Sequence, residues 1–167
     1  MPAKTSQDKS SERKSIDPAE AYVRMRSYCA YQERSHDEVR DKLFSLGFRS
    51  DAAEELISRL IIDGFINEER FAKAFAGGKF RIKHWGKLKI EQALKAHDIS
   101  SKCIAIGLRE IDDDDYRATI RKLIQKKSES VTEENLFKRR DVVSKYVIAK
   151  GFEPELVWEI LKEEIPR

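Results

Sequence analysis

Three histidines, His36, His84 and His97, and two cysteines, Cys29 and Cys103, are the candidates for metal binding and nucleophilic chemistry. The histidines lack metal-ligand spacing to one another or to a cysteine. Cys103 has no activating base near it in sequence. Both cysteines sit among apolar neighbours, as small core fillers do, and two cysteines make no disulfide framework of the secreted kind. Gly86-Lys87 resembles the end of a phosphate-binding loop, but Leu88 follows it and Arg81 stands where the first glycine is required. No Gly-x-Ser-x-Gly elbow exists. Asp112 to Asp115 are four consecutive carboxylates, which cannot share one helical face; they read as acidic charge at a helix start rather than a metal site. We therefore expect no catalytic residue, no metal, no cofactor and no enzymatic activity.

The chemistry that remains is basic charge. The 167 residues carry 33 Lys+Arg against 30 Asp+Glu, a net charge of +3. Its distribution is uneven. From Arg70 to His97 stand eight basic residues, Arg70, Lys73, Lys79, Arg81, Lys83, Lys87, Lys89 and Lys95, against Glu91 alone. That segment is net +7, so the remainder is net −4. One-sided charge of this kind suits a surface for phosphate or acidic protein better than a merely solubilising face. Lys138 and Lys145 fall on one helical face with Arg139 beside it, a second and smaller patch.

The elements that carry these residues read as helices. Seven Gly and four Pro are too few for a sandwich or barrel, and 38% of the residues are charged. Asp17-Pro18 is a helix start, Ser35 with Glu38 a capping box, and Ser50 opens a third helix closed by Gly64. Asn67 can cap a fourth, with Glu68 and Glu69 in its first turn. Phe71, Phe75, Gly78 and Ile82 recur on one face there and read as a packing stripe. Gly77-Gly78 inside that helix implies either a closely passing neighbour or a kink. Trp85 reads as a core anchor between units, with a partner-binding aromatic as the alternative. Met1 to Ser15 read as a disordered polar tail without the apolar stretch of a signal peptide. No run is long and apolar enough for a membrane span, so a cytoplasmic location is expected.

The pattern repeats. Gly47-Phe48, Asp98-Ile99 and Gly151-Phe152 stand at equivalent helix ends, spaced by 51 and 53 residues. Inward positions track with them: Val39, Ile90 and Val143; Leu43, Leu94 and Val147; Ala53, Ile104 and Val157; Ile57, Leu108 and Leu161. The expected fold is all-α, three tandem three-helix repeats forming an elongated, curved body. Their spans are 16–64, 65–111 and 112–167, after the tail 1–15. Units of this size lack a generous core and should lean on one another.

The central stretch resembles the RecX family, regulators of the RecA recombinase. It reads Gly64-Phe65-Ile66-Asn67-Glu68-Glu69-Arg70-Phe71-Ala72, then the basic run Lys79 to Lys89 around Gly86, then Ile90 and Leu94. Ser35-His36-Asp37-Glu38-Val39 matches the start of the family's first repeat, with Val where Leu is usual. Asn67-Glu68 replaces the common Asp-Asp, and Asp98 stands where Gly is common. The resemblance runs from about Ala21 to Glu164 and is weakest in the third unit.

The resemblance implies a non-enzymatic modulator, mainly an inhibitor, in homologous recombination, DNA repair and the SOS response. Such a protein lies in the groove of the RecA–single-stranded-DNA filament and suppresses ATP hydrolysis, filament extension and strand exchange. The implied partners are the RecA filament and single-stranded DNA, with duplex DNA weaker and the chain monomeric. The expected contacts are Arg70, Lys73, Lys79, Arg81, Lys83, Lys87 and Lys89, then Lys138, Arg139 and Lys145. The alternatives are a direct DNA-binding helix-turn-helix protein, against which Asp41, Glu54, Glu55 and Asp63 count, or a helical interaction scaffold.

Overall fold

A computed structural model describes residues 16–166, so the expected tail at 1–15 lies outside the described residues. Among the described residues there are nine helices and no strand. They are α1 (Pro18–Tyr31), α2 (His36–Ser45), α3 (Ser50–Ile62), α4 (Glu68–Lys83), α5 (Lys87–Ala96), α6 (Ser101–Leu108), α7 (Asp113–Ser130), α8 (Leu136–Ala149) and α9 (Pro154–Glu164). The all-helical expectation is borne out.

Local chemistry sets most of the starts. The Asp17 carboxylate accepts the Ala19 N–H at 2.8 Å. Ser35 and Glu38 form the full reciprocal box. Asn67 caps α4 by accepting the Arg70 N–H at 2.9 Å, and Asp112 caps α7 by accepting the Asp115 N–H. Ser50 opens α3 as expected. It is the first residue of α3, with φ +41°, and no side chain caps that helix. Ser100 and Asn135, which the sequence reading passed over, cap α6 and α8.

Helix packing runs within trios: α1–α3, α4–α6 and α7–α9. The equivalent turns share one geometry. Gly47, Asp98 and Gly151 are all left-handed, with φ of +94°, +57° and +97°. Each is followed by a buried apolar residue, Phe48, Ile99 and Phe152. Asp98 accepts the left-handed conformation because a short polar side chain tolerates it better than most. Val39, Ile90 and Val143 are fully buried, as are Leu43, Leu94 and Val147.

The cores divide unequally. The first trio closes around its own cluster, from Ala21 and Met25 through Leu60 to Ile66. The second and third trios share one continuous cluster, from Phe71 to Leu161. Mutual support between neighbours therefore holds for these two trios, while the first is self-contained.

The join between the second and third trios is a backbone interlock. Gly86 N–H donates to the Lys150 carbonyl at 2.8 Å, and Leu88 N–H to the Gly151 carbonyl at 3.0 Å. A Cβ on Gly86 would lie 2.2 Å from the Gly151 carbonyl, so only glycine allows this approach. Tyr116 crosses the same seam. Its hydroxyl accepts the Lys87 N–H at 3.0 Å and donates to Glu153 at 2.5 Å. Burial first, and then the Glu153 hydrogen bond, raise the Tyr116 pKa far above that of an ordinary phenol.

The first trio meets the second through polar contacts. Arg70 reaches Glu33 at 2.9 Å and the Gly64 carbonyl at 2.8 Å. Buried Ser35 Oγ lies 3.4 Å from His97 Nδ1.

Candidate functional site

Folding sorts the eight basic residues between Arg70 and His97 into two groups. Four are neutralised by carboxylates. Arg70 pairs with Glu33, Lys73 with Glu69 and Glu110, Lys87 with Asp113, and Lys95 with Glu91. Lys87 also lies 4.7 Å from the Tyr116 ring centroid, within the seam between trios. Arg70 and Lys87 thus hold trios together, which the sequence reading did not assign to them.

The other four are Lys79, Arg81, Lys83 and Lys89. Among the described residues none of them makes an ion pair with a carboxylate. Lys79, Arg81 and Lys83 stand towards the C-terminal end of α4 and Lys89 at the start of α5. The Lys79 and Lys89 ammonium groups stand 4.8 and 4.6 Å from the Trp85 ring. Trp85 itself is half-buried and packs against the shared core. It anchors the turn from inside while the lysines cover it from outside, a cation–π arrangement. The α4 C-terminus places His84 in a left-handed conformation, φ +54°, which turns the chain sharply into α5. Cations here also sit favourably at the negative end of the α4 dipole.

The packing stripe expected on α4 faces elsewhere. Ala72, Ala76, Gly77 and Phe80 are the buried face, joined by Phe71. Phe75 and Gly78 are half-buried and Ile82 is 75% exposed, so this stripe lines an open groove. The Gly77-Gly78 expectation is likewise corrected. Gly77 is covered by the Arg81 guanidinium of its own helix, and Gly78 has open space above it. The close helix approach lies at Gly107, where a Cβ would meet the Ala72 carbonyl of α4 at 2.7 Å.

On α8, Arg139 donates to the Ser128 carbonyl at 2.9 Å and Lys145 pairs with Asp141 at 2.7 Å. Lys138 is exposed. The sequence reading missed Tyr146, which carries Lys127 and Lys150 at 4.8 and 5.3 Å from its ring, with exposed Val142 one turn before it on the same helix. Its signal was an aromatic on a helix with basic residues in the preceding helix and the following turn.

Neither cysteine is in a disulfide. Cys29 is buried in the first core, and burial pushes its thiol pKa up to about 11. Among the described residues no cluster of His, Cys, Asp and Glu has metal-binding geometry, and no helix is long and apolar enough to cross a membrane.

The sequence models of two domains match this arrangement. The first three-helix domain of RecX matches residues 21–60, and the second matches residues 67–108. These spans coincide with the first two trios. The chain belongs to the RecX family. Proteins named regulatory protein RecX are 24% identical in Oceanobacillus iheyensis, over 86% of this chain and 53% of that protein, and 27% identical in Clostridium botulinum, over 79% and 62%. The protein of the same name in Chlorobium limicola is 29% identical over 80% of this chain and 81% of that protein. This chain thus spans little more than half the length of the first two relatives. The crystal structure of RecX from Lactobacillus salivarius superposes with a TM-score of 0.78 at 22% identity, covering 88% of this chain and 96% of that one. A second RecX crystal structure matches at 0.78 and 23% identity. The fold is that of RecX.

Proposed function

We propose that this chain is a non-enzymatic modulator of a RecA-type recombinase, binding the filament on single-stranded DNA and restraining ATP hydrolysis, extension and strand exchange. The observation that carries this reading is the group of cations at the α4–α5 turn, Lys79 and Lys89 on Trp85 with Arg81 and Lys83 in the last turn of α4. It combines charge without carboxylate partners with a rigid mount, because the turn beneath it is locked to the third trio by the Gly86–Gly151 interlock. Family membership supplies the partner; the cations supply a surface suited to acidic protein and phosphate.

The Tyr146 patch supports a second contact, to the nucleic acid strand. Aromatic rings flanked by cations are what single strands stack on. Three tandem units, 16–64, 65–111 and 112–167, would let one monomer touch neighbouring protomers. Titration of the chain into a recombinase ATPase assay on single-stranded DNA tests the reading. Hydrolysis should fall with added protein, and an unchanged rate at saturating protein would refute it.

A further inference from the structure

The groove between the first and second trios differs in chemistry from the cations at the α4–α5 turn beside it. Its floor is the α4 stripe of buried Phe71, half-buried Phe75 and Gly78, and exposed Ile82, and its volume is about 440 Å³. Glu33 and Glu38 form the opposite wall, and Lys79 and Lys83 the rim. Each carboxylate has one oxygen engaged within the protein, while Glu33 Oε2 is buried without a partner. Glu33 is paired with Arg70, and Glu38 accepts the Ser35 N–H at 2.8 Å. The two lysines have no carboxylate among the described residues. The groove is therefore apolar below and electropositive at one edge. An isoleucine 75% exposed beside half-buried Phe75 is surface that water solvates poorly.

The geometry points to this groove as the docking site for an acidic segment of a partner protein, with an aliphatic or aromatic anchor on the α4 stripe and carboxylates on Lys79 and Lys83. Charge complementarity selects an acidic occupant. The apolar floor selects a peptide over a nucleic acid backbone. The identity of the partner as the recombinase rests on the function proposed above; the groove's peptide chemistry does not. Anchors spaced along a groove, with charge setting specificity, are a recurrent mode of peptide recognition.

Two substitutions alter the groove without touching its charges. Gly78→Gln fills it, since nothing lies within 4 Å of a Cβ there, and it replaces glycine by a better helix former. Ile82→Ser removes exposed apolar surface. The probe is a fluorescein-labelled peptide carrying Phe and Leu among Asp and Glu residues, read by fluorescence anisotropy on the full chain, with circular dichroism confirming the fold. The intact protein should bind it, and each variant should raise Kd about tenfold. Equal binding of a control peptide with Phe and Leu replaced by Ser overturns the apolar anchor, and unchanged binding by both variants overturns the site.

In a second arm, both variants should weaken association with the recombinase filament about tenfold and leave affinity for bare single-stranded DNA unchanged. Equal loss on bare DNA reassigns the groove to nucleic acid and overturns the proposal, as does a concentration-dependent dimer that Gly78→Gln abolishes. Peptide binding without filament binding by the intact protein supports the groove and sinks the filament reading.

Discussion

Replacing Gly86 by Ala tests the interlock on which the rigid mount depends. The backbone there, φ −77° and ψ 165°, is open to any residue, so the substitution introduces no torsional strain of its own. Its cost is contact. The new Cβ would lie 2.2 Å from the Gly151 carbon and oxygen and from the Phe152 nitrogen, where van der Waals contact begins near 3.4 Å. These are backbone atoms, so relief requires the third trio to move away by more than 1 Å. Movement of that size breaks the Gly86–Lys150 and Leu88–Gly151 hydrogen bonds. Each lost bond costs about 1 kcal/mol net, and more where the donor stays buried, while overpacking adds about 1–3 kcal/mol. The lower chain entropy of unfolded Ala returns about 0.4–1 kcal/mol. The net loss is about 3–4 kcal/mol, or roughly 6–16 °C in Tm for a chain of this size. The control is Gly78→Ala, in open space within α4, which should gain about 0.5–1 kcal/mol. Urea titration followed by circular dichroism measures both. Gly86→Ala within 0.5 kcal/mol of the parent, an order-of-magnitude threshold set by ordinary surface changes, would refute the interlock.

Two further outcomes follow from the same geometry. Tyr116→Phe removes the acceptor of the Lys87 N–H and the donor to Glu153, and should cost about 1–3 kcal/mol in the same urea assay. A loss below about 0.5 kcal/mol would show that water replaces the hydroxyl at the seam. At pH 8 the Cys29 thiol, with its pKa near 11, is only about one-thousandth thiolate, whereas partly exposed Cys103 is accessible to reagent. A disulfide reagent should therefore titrate one thiol quickly and the second only on unfolding; two fast thiols would show that the first core opens readily.

Much of the fold was legible because it is locally encoded. Caps at Asp17, Ser35, Asn67 and Asp112 are side chains acting on backbone two or three residues away. The recurring helix ends were readable even at Asp98, where a left-handed residue other than glycine keeps the phase. The site was less legible because charge pairing is tertiary. Arg70 finds Glu33 across 37 residues and Lys87 finds Asp113 across 26, pairings with no local signature. Only Glu69–Lys73 and Glu91–Lys95, each four apart on one helix, could be read directly. The α4 stripe was visible as a period, but periodicity does not say whether a neighbour covers a face. The first trio stands far enough off to leave it open.

The central claim is that the cations at the α4–α5 turn form the surface that acts on the filament. Its most direct test is the recombinase ATPase rate on single-stranded DNA, measured against the intact chain and against K79E/R81E/K83E at matched helicity. These side chains hold no ion pair within the described residues, so their reversal breaks no salt bridge, and matched helicity checks that losing the Lys79–Trp85 contact leaves the fold intact. The intact chain should suppress hydrolysis, and the variant should need at least about tenfold more protein for the same effect. Equal suppression by the two proteins would contradict the account.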